Sequence, residues 1–218
     1  MSSTRGATDA TDQPRRRGRP RAFDRDTALR QAMEVFWERG YEGTRLTDLV
    51  EAMRMNPPSL YGAFGSKEKL FREAVEFYNS PDRSVTTLAL ERPGPVRDAV
   101  EALLRDNAKA YVDPETPHGC LIVLSAISYS PESEGLRDLL RSLRDQDRDR
   151  LLARLRAASE DGGLPASVDV DRLASFLMSV LFGLSIQARD GATLAELDGV
   201  VDITLATWDH LVESARGG

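Results

Sequence analysis

The chain has 218 residues, with 29 Lys+Arg against 35 Asp+Glu, a net charge of −6, and 41% hydrophobic residues, which suits an ordinary globular protein of one or two domains. No run approaches the roughly 18 apolar residues of a membrane span, and the first residues hold no apolar segment of the secretory kind. The lone cysteine, Cys120, has no partner for an intrachain disulfide, so the reading is a cytoplasmic protein with no membrane partner. The charge is uneven. Residues 1–80 hold 14 Lys+Arg against 12 Asp+Glu, a net of +2, while residues 81–218 hold 15 against 23, a net of −8. A phosphate backbone would attract only the N-terminal part.

Residues 1–21 show no hydrophobic period and are expected to be a disordered basic arm. Five arginines fall within residues 15–21. Arg17-Gly18-Arg19-Pro20 has the form of a minor-groove insert, two arginines about a glycine that lie flat in a narrow A·T groove. A basic tail that meets phosphate without sequence preference fits the same residues.

A helix is expected over 26–39, because Leu29, Ala32, Met33, Phe36 and Trp37 recur at helical spacing. Gly40 stops it. A second helix is expected over 46–53, with Leu46, Leu49, Val50 and Met53 inward. Asn56 is a good N-cap, and Pro57 costs little at the first position of a third helix, where its missing N–H has no helical partner anyway. Gly65 limits that helix to about two turns. Ser66 then caps a fourth over 67–78, and Pro81 closes the unit. Further helices are expected over 95–111, 119–128, 131–160, 169–189 and 194–213, with no strand signal anywhere. The fold class is therefore all-α. A small helix-turn-helix unit over 22–80, built as a three-helix DNA-binding domain with a further capped helix, precedes a larger helical domain over 81–218.

Helix, turn and a two-turn helix behind a basic arm is how a small protein brings side chains to base edges. So short a helix inserts few residues into the major groove. Its exposed positions should be Pro57, Pro58, Ser59, Gly62 and Ala63, with Leu60 and Phe64 turned inward. Readout would then fall to Asn56, Ser59 and the Tyr61 ring, with Pro58 against a thymine methyl. Lys67 opens the fourth helix, where its ammonium and the free N–H groups can take a phosphate. Arg45 and Thr47, at the start of the second helix, complete the candidate DNA contacts with Arg17, Arg19 and Gly62.

Residues 28–71 resemble the TetR family of bacterial transcription regulators. The likeness rests on Ala32, Phe36, Gly40, Tyr41, Thr44, Ser59-Leu60-Tyr61, Phe64 and Ser66-Lys67-Glu68 before Leu70. Pro57-Pro58 and Arg45 depart from the commoner residues at those places. Family position is what favours a DNA contact for Tyr61 over a half-buried core aromatic. The resemblance implies a homodimeric repressor on a pseudo-palindromic duplex operator, released by a small-molecule effector whose identity the sequence does not give.

Candidate effector residues are Leu103, Ala110, Tyr111, Cys120, Leu121, Leu124, Ile127, Tyr129, Phe176, Met178 and Phe182, each more readily read as plain core. The two last helices are the most apolar. They form either intramolecular core or a four-helix interface between two copies, through Phe176, Val180, Leu184, Val201, Leu205 and Trp208. Gly119-Cys120-Leu121 resembles an element in a subset of the family. If Cys120 opens a helix, the dipole lowers its thiol pKa, and a protonated His118 adds to that. Such a thiol could sense electrophiles or oxidants; the other reading is a small buried hydrophobe.

Catalysis has no residue set to rest on. His118, His210 and Cys120 show no metal-ligand spacing, and no nucleophile-elbow, dinucleotide or phosphate-loop pattern occurs. Neither enzyme activity nor a cofactor or metal is expected. A helical adaptor that contacts proteins through the N-terminal unit is the remaining alternative, and strongly salt-dependent duplex binding separates it from the regulator.

Overall fold

The computed structural model describes residues 24–126 and 133–217. The arm with Arg17 and Arg19, and Ile127 and Tyr129, lie outside them. The described residues form ten helices and no strand: α1 (Arg25–Gly43), α2 (Leu46–Ala52), α3 (Pro57–Phe64), α4 (Lys67–Tyr78), α5 (Val85–Leu90), α6 (Val96–Tyr111), α7 (Leu121–Leu124), α8 (Glu134–Glu160), α9 (Val170–Arg189) and α10 (Leu194–Gly217).

Local chemistry sets the boundaries. Asp24 caps α1, accepting from the N–H groups of Asp26 and Thr27. Gly40 breaks it at φ 70°, and one further turn runs to Gly43. The stop expected at Gly40 is therefore a kink, held by the Thr44 hydroxyl donating to the Gly40 carbonyl at 2.6 Å. Asn56 Oδ1 accepts from Ser59 N at 2.9 Å, and Ser66 Oγ accepts from Lys69 N at 3.1 Å. Both caps are as expected.

Elsewhere the sequence expectations need adjustment. The helix α5 was not anticipated. It has six residues, VTTLAL, too few for a period to show, although Ser84 caps it by accepting from Thr87 N at 3.2 Å. Of the helix expected over 119–128, the described residues form only α7, which starts late because Gly119 takes φ +82° and Cys120 is extended. Among the described residues α8 begins at Glu134, and α10 continues past residue 213 to Gly217.

Two cores result. The N-terminal one gathers the buried stripe of α1 with Leu49, Leu60, Phe64, Leu70 and Phe71. Phe36, Tyr41 and Phe71 form its aromatic centre, the Phe36 and Phe71 rings meeting edge-on at 5.1 Å. Leu121 and Ile122 of α7 and Leu136 and Leu140 of α8 also belong to it. The second core is built from α5, α6, α9, α10 and the later turns of α8, including Leu151, Leu152 and Leu155. Helix α8 thus serves both. Between Leu140 and Leu151 its sequence is RSLRDQDRDR, a polar stretch of about 16 Å at 1.5 Å per residue.

By length and composition α9 could cross a membrane, yet Leu173, Leu177, Leu181 and Leu184 are buried in the second core. Only 39% of its most apolar window is covered within the chain, so much of this helix remains for another surface to cover.

Candidate nucleic-acid interface and effector cavity

Leu60 and Phe64 anchor α3 in the N-terminal core, which turns its other face to solvent. Pro57, Pro58, Ser59 and Gly62 are exposed, Ala63 is half-buried, and Tyr61 is 47% exposed. That exposure leaves the Tyr61 ring available for a DNA contact and is also compatible with a half-buried aromatic. Gly62 has nothing within 4 Å of where a Cβ would stand, so its lack of a side chain leaves the middle of this face low. Arg45 and Thr47 are exposed at the start of α2, and Asp48 accepts from Arg45 N at 2.8 Å.

Lys67 lies at the head of α4 with its ammonium 4.3 Å from the centre of the Tyr41 ring. Partial burial there lowers its pKa. The ring fixes the position of a cation whose charge stays open to an anion. Arg45, Thr47, Asn56, Pro58, Ser59, Tyr61 and Gly62 are thus exposed on or beside α2 and α3, and Lys67 is half-buried at the head of α4. The sequence reading passed over Arg54. It is exposed in the turn before α3 at φ 52°, a left-handed place where glycine or asparagine is the usual signal.

The effector candidates divide. Tyr111, Cys120 and Ala110 line a cavity of about 300 Å³ between the two cores, at the lower end of the size range for small-molecule sites. Leu103 and Met178 are buried in the second core, Phe182 packs against it, and Leu121 is buried in the N-terminal core. Leu124 lines a separate hollow of about 290 Å³ with Ser125 and Arg189. Phe176 is 43% exposed on the outside of α9. None of these six reaches the cavity. Its remaining wall, which the sequence did not reveal, comes from Met33 and Trp37 of α1, Phe77 and Tyr78 of α4, Asn107 of α6 and Asp147 of α8. Trp37 and Tyr78 meet edge-on at 4.9 Å. The Trp37 indole N–H is buried and finds no acceptor. A wider hollow of about 760 Å³ lies against the second core, where Arg97 is paired with Asp209 and Glu101.

Cys120 lies on the seam between the two cores. Its N–H donates to Ser185 Oγ at 2.8 Å, and the Tyr78 hydroxyl donates to its sulfur at 3.6 Å. It is the N-cap of the short α7 rather than part of its first turn. Burial pushes its thiol pKa up, opposed by hydrogen bonds from Val123, Tyr78 and Ile122. The expected low-pKa thiol is thereby corrected: desolvation outweighs the pull of a four-residue helix. Gly119 explains the neighbouring geometry. Its N–H donates to the Tyr111 carbonyl at 2.8 Å, and an added Cβ would stand 2.7 Å from the Ser185 carbonyl oxygen.

The interface candidates also need sorting. Leu184, Val201, Leu205 and Trp208 are buried in the chain's own core, so they cannot meet a partner. Val180 is half-buried. The apolar residues left outward on α9 and α10 include Phe176, Ile186, Leu211 and Ile203, the last 72% exposed.

Comparison with known proteins agrees with this geometry. Residues 28–74 match the family described as bacterial regulatory proteins, tetR family. Residues 98–198 match the tetracyclin repressor-like C-terminal domain. The chain is 36% identical over 215 residues to the HTH-type transcriptional repressor ComR of Escherichia coli (strain K12), covering 95% of this chain and all of that one. It is 33% identical over 193 residues to the HTH-type transcriptional regulator YezE of Bacillus subtilis (strain 168), covering 88% and 100%. Among solved structures, a cysteine mutant of the TetR family regulator CifR in complex with 26-bp double-strand operator DNA superimposes with a TM-score of 0.82 at 47% identity, covering 87% of this chain and all of that one.

Proposed function

The chain belongs to the tetR family of bacterial regulatory proteins, and from that premise we propose that it is a homodimeric repressor whose α3 reads a pseudo-palindromic operator and whose inter-core cavity takes the releasing effector. It is a DNA-binding regulator and not an enzyme. Residues 22–80 form the DNA-binding domain in this reading, and residues 81–218 the effector and dimer domain. The site of action is the cytoplasm, where the DNA is. The observation that carries the reading is the face of α3, where Pro58, Ser59, Tyr61 and Gly62 stand clear of a core that fixes the helix from behind. Asn56, Arg45, Thr47 and Lys67 flank it.

Two copies would join through the outer apolar faces of α9 and α10, setting the two α3 helices about 34–36 Å apart for successive major grooves. An effector that favours another spacing releases DNA through its differential affinity. The cavity is suited to this, because its walls come from α1 and α4 on one side and α6 and α8 on the other. Arg189 at the end of α9 adds a second link, pairing with the Glu38 carboxylate at 3.0 Å and donating to the Glu38 carbonyl. We further place the chain in the subset that carries Gly119-Cys120-Leu121. In that element the glycine permits close approach to α9, the cysteine faces the cavity and the leucine enters the N-terminal core. A thiol-sensing variant of the function would depend on a reagent entering the cavity, since the buried sulfur is held as the thiol.

Purified protein incubated with fragments of the source genome at near-physiological salt tests the proposal. A recovered pseudo-palindrome is the expected result, whereas only weak, unspecific binding would overturn it in favour of an adaptor. With the operator in hand, deletion of residues 1–21 is expected to lower affinity and flatten its salt dependence, because every phosphate that the arm neutralises adds about 0.9 to the steepness of the logarithmic slope. An unchanged slope would take the arm out of the interface.

A further inference from the structure

We propose that the inter-core cavity is built for a small organic cation, an aryl-bearing alkylamine whose protonated nitrogen pairs with Asp147. The inference rests on the effector-responsive reading above and names the chemical class of the effector.

Asp147 lies in the polar stretch of α8 between the two cores, and its side chain is 13% exposed. One carboxylate oxygen, Oδ1, accepts from Arg150 at 2.9 Å on the same helix. No donor among the described residues reaches Oδ2. The side chain is largely but not fully covered, so Oδ2 keeps acceptor capacity that a donor in the cavity can take. The Asn107 amide donates to the Leu103 carbonyl, and its oxygen accepts from the Thr86 hydroxyl.

The surrounding wall is aromatic: Trp37, Phe77, Tyr78 and Tyr111. Ring faces attract a desolvated cation and repel an anion. The other charges on the lining, Arg30, Glu34, Arg83 and Asp113, are exposed at the mouth and balance one another. Arg83 is further occupied by the Phe77 ring, 3.9 Å away. Asp147 is thus the one inner charge of the described lining.

Asp147 has its pKa pushed up to about 6 by burial, against the opposing pull of Arg150. Burial drives the other titratable neighbours, Tyr78, Tyr111 and Cys120, upward, so they stay neutral at physiological pH. Above pH 6 the carboxylate is charged and would hold the cation. Below it, protonation removes the attraction.

Three probes of one skeleton test this: 2-phenoxyethylamine, 2-phenoxyethanol and phenoxyacetate, which carry a cation, a neutral group and an anion beside the same ether oxygen. Binding to the full-length protein is read by calorimetry and by tryptophan fluorescence, with Trp37 in the cavity wall. At about pH 7.5 the amine is expected to bind roughly tenfold tighter than the alcohol, and the acid least. Between about pH 7.5 and about pH 5 the amine is expected to lose about tenfold in affinity, following ionisation of a group at about 6. Asp147→Asn should level the amine with the alcohol. The comparison among probes and the pH series use the unaltered protein, so they stand even if that variant fails to fold. Equal binding of amine and alcohol, preference for the acid, or no binding of the amine at millimolar concentration would each overturn the proposal. Operator binding measured on the same preparation separates the two claims. Protein that holds its operator while ignoring the amine overturns the cation alone, and protein with no operator overturns the repressor reading beneath it.

Discussion

Gly119→Ala is expected to lower the unfolding temperature by about 10 °C, on the order of 3 kcal/mol for a chain of this size. Two costs combine. The backbone sits at φ +82°, where an L side chain is strained. The new Cβ would also stand 2.7 Å from the Ser185 carbonyl oxygen and 2.8 Å from Leu124 Cδ1. The carbonyl cannot swing away without disturbing α9, whose Ser185 is fully buried. Gly162 provides the control, because it has the same φ of +82° with nothing within 4 Å. Gly162→Ala should show only the conformational part, about 1 kcal/mol. Thermal unfolding of the two variants side by side measures the difference. Equal shifts would mean that the 113–120 loop does not press on α9 in solution.

Gly62→Glu is expected to reduce operator affinity by about 100-fold, roughly 2.8 kcal/mol, while leaving the unfolding temperature almost unchanged. A side chain at residue 62 meets no protein atom within 4 Å of its Cβ, so the fold has no reason to object. The proposed DNA does: a carboxylate in the middle of the α3 face would be pushed against base edges and between phosphates. Gly62→Ala separates shape from charge. It should gain up to about 1 kcal/mol in stability, since alanine favours a helix over glycine, with a smaller loss in DNA binding. Fluorescence anisotropy with a labelled operator provides the reading. Full affinity in the glutamate variant would remove this face of α3 from the groove.

The sequence was most readable where the structure is local. The stripe from Leu29 to Trp37, the Asn56 cap with Pro57 behind it and the Ser66 cap are short-range features, and each is written into adjacent residues. Helix α5 was missed because six residues with three β-branched side chains carry no period to detect. Most of the cavity wall was missed for a different reason. Ala110, Tyr111 and Cys120 stood among the candidates, but Trp37, Tyr78 and Asp147 are each unremarkable in their own helices and join them only when α1, α4, α6 and α8 converge. The outward side of α9 and α10 was ambiguous because both helices are apolar around much of their circumference. Leu184 and Trp208, which face inward, read in sequence much like Phe176 and Ile203, which face out. Cys120 shows how packing can reverse an expectation drawn from position in the chain, since its helix offers a weak dipole and desolvation raises its thiol pKa.

The sharing of α8 between the cores, with α7 packed into the N-terminal one, bears on how this molecule could be recombined. Leu121, Ile122, Leu136 and Leu140 complete the packing beneath the reading head although they lie far beyond its last helix in the chain. A chimaera cut near residue 80 and joined to a foreign sensor would inherit a head with a gap in its floor. Transplanting the head therefore means carrying a patch of the sensor with it, and two family members can exchange heads only where their α7 and the first turns of α8 match in shape.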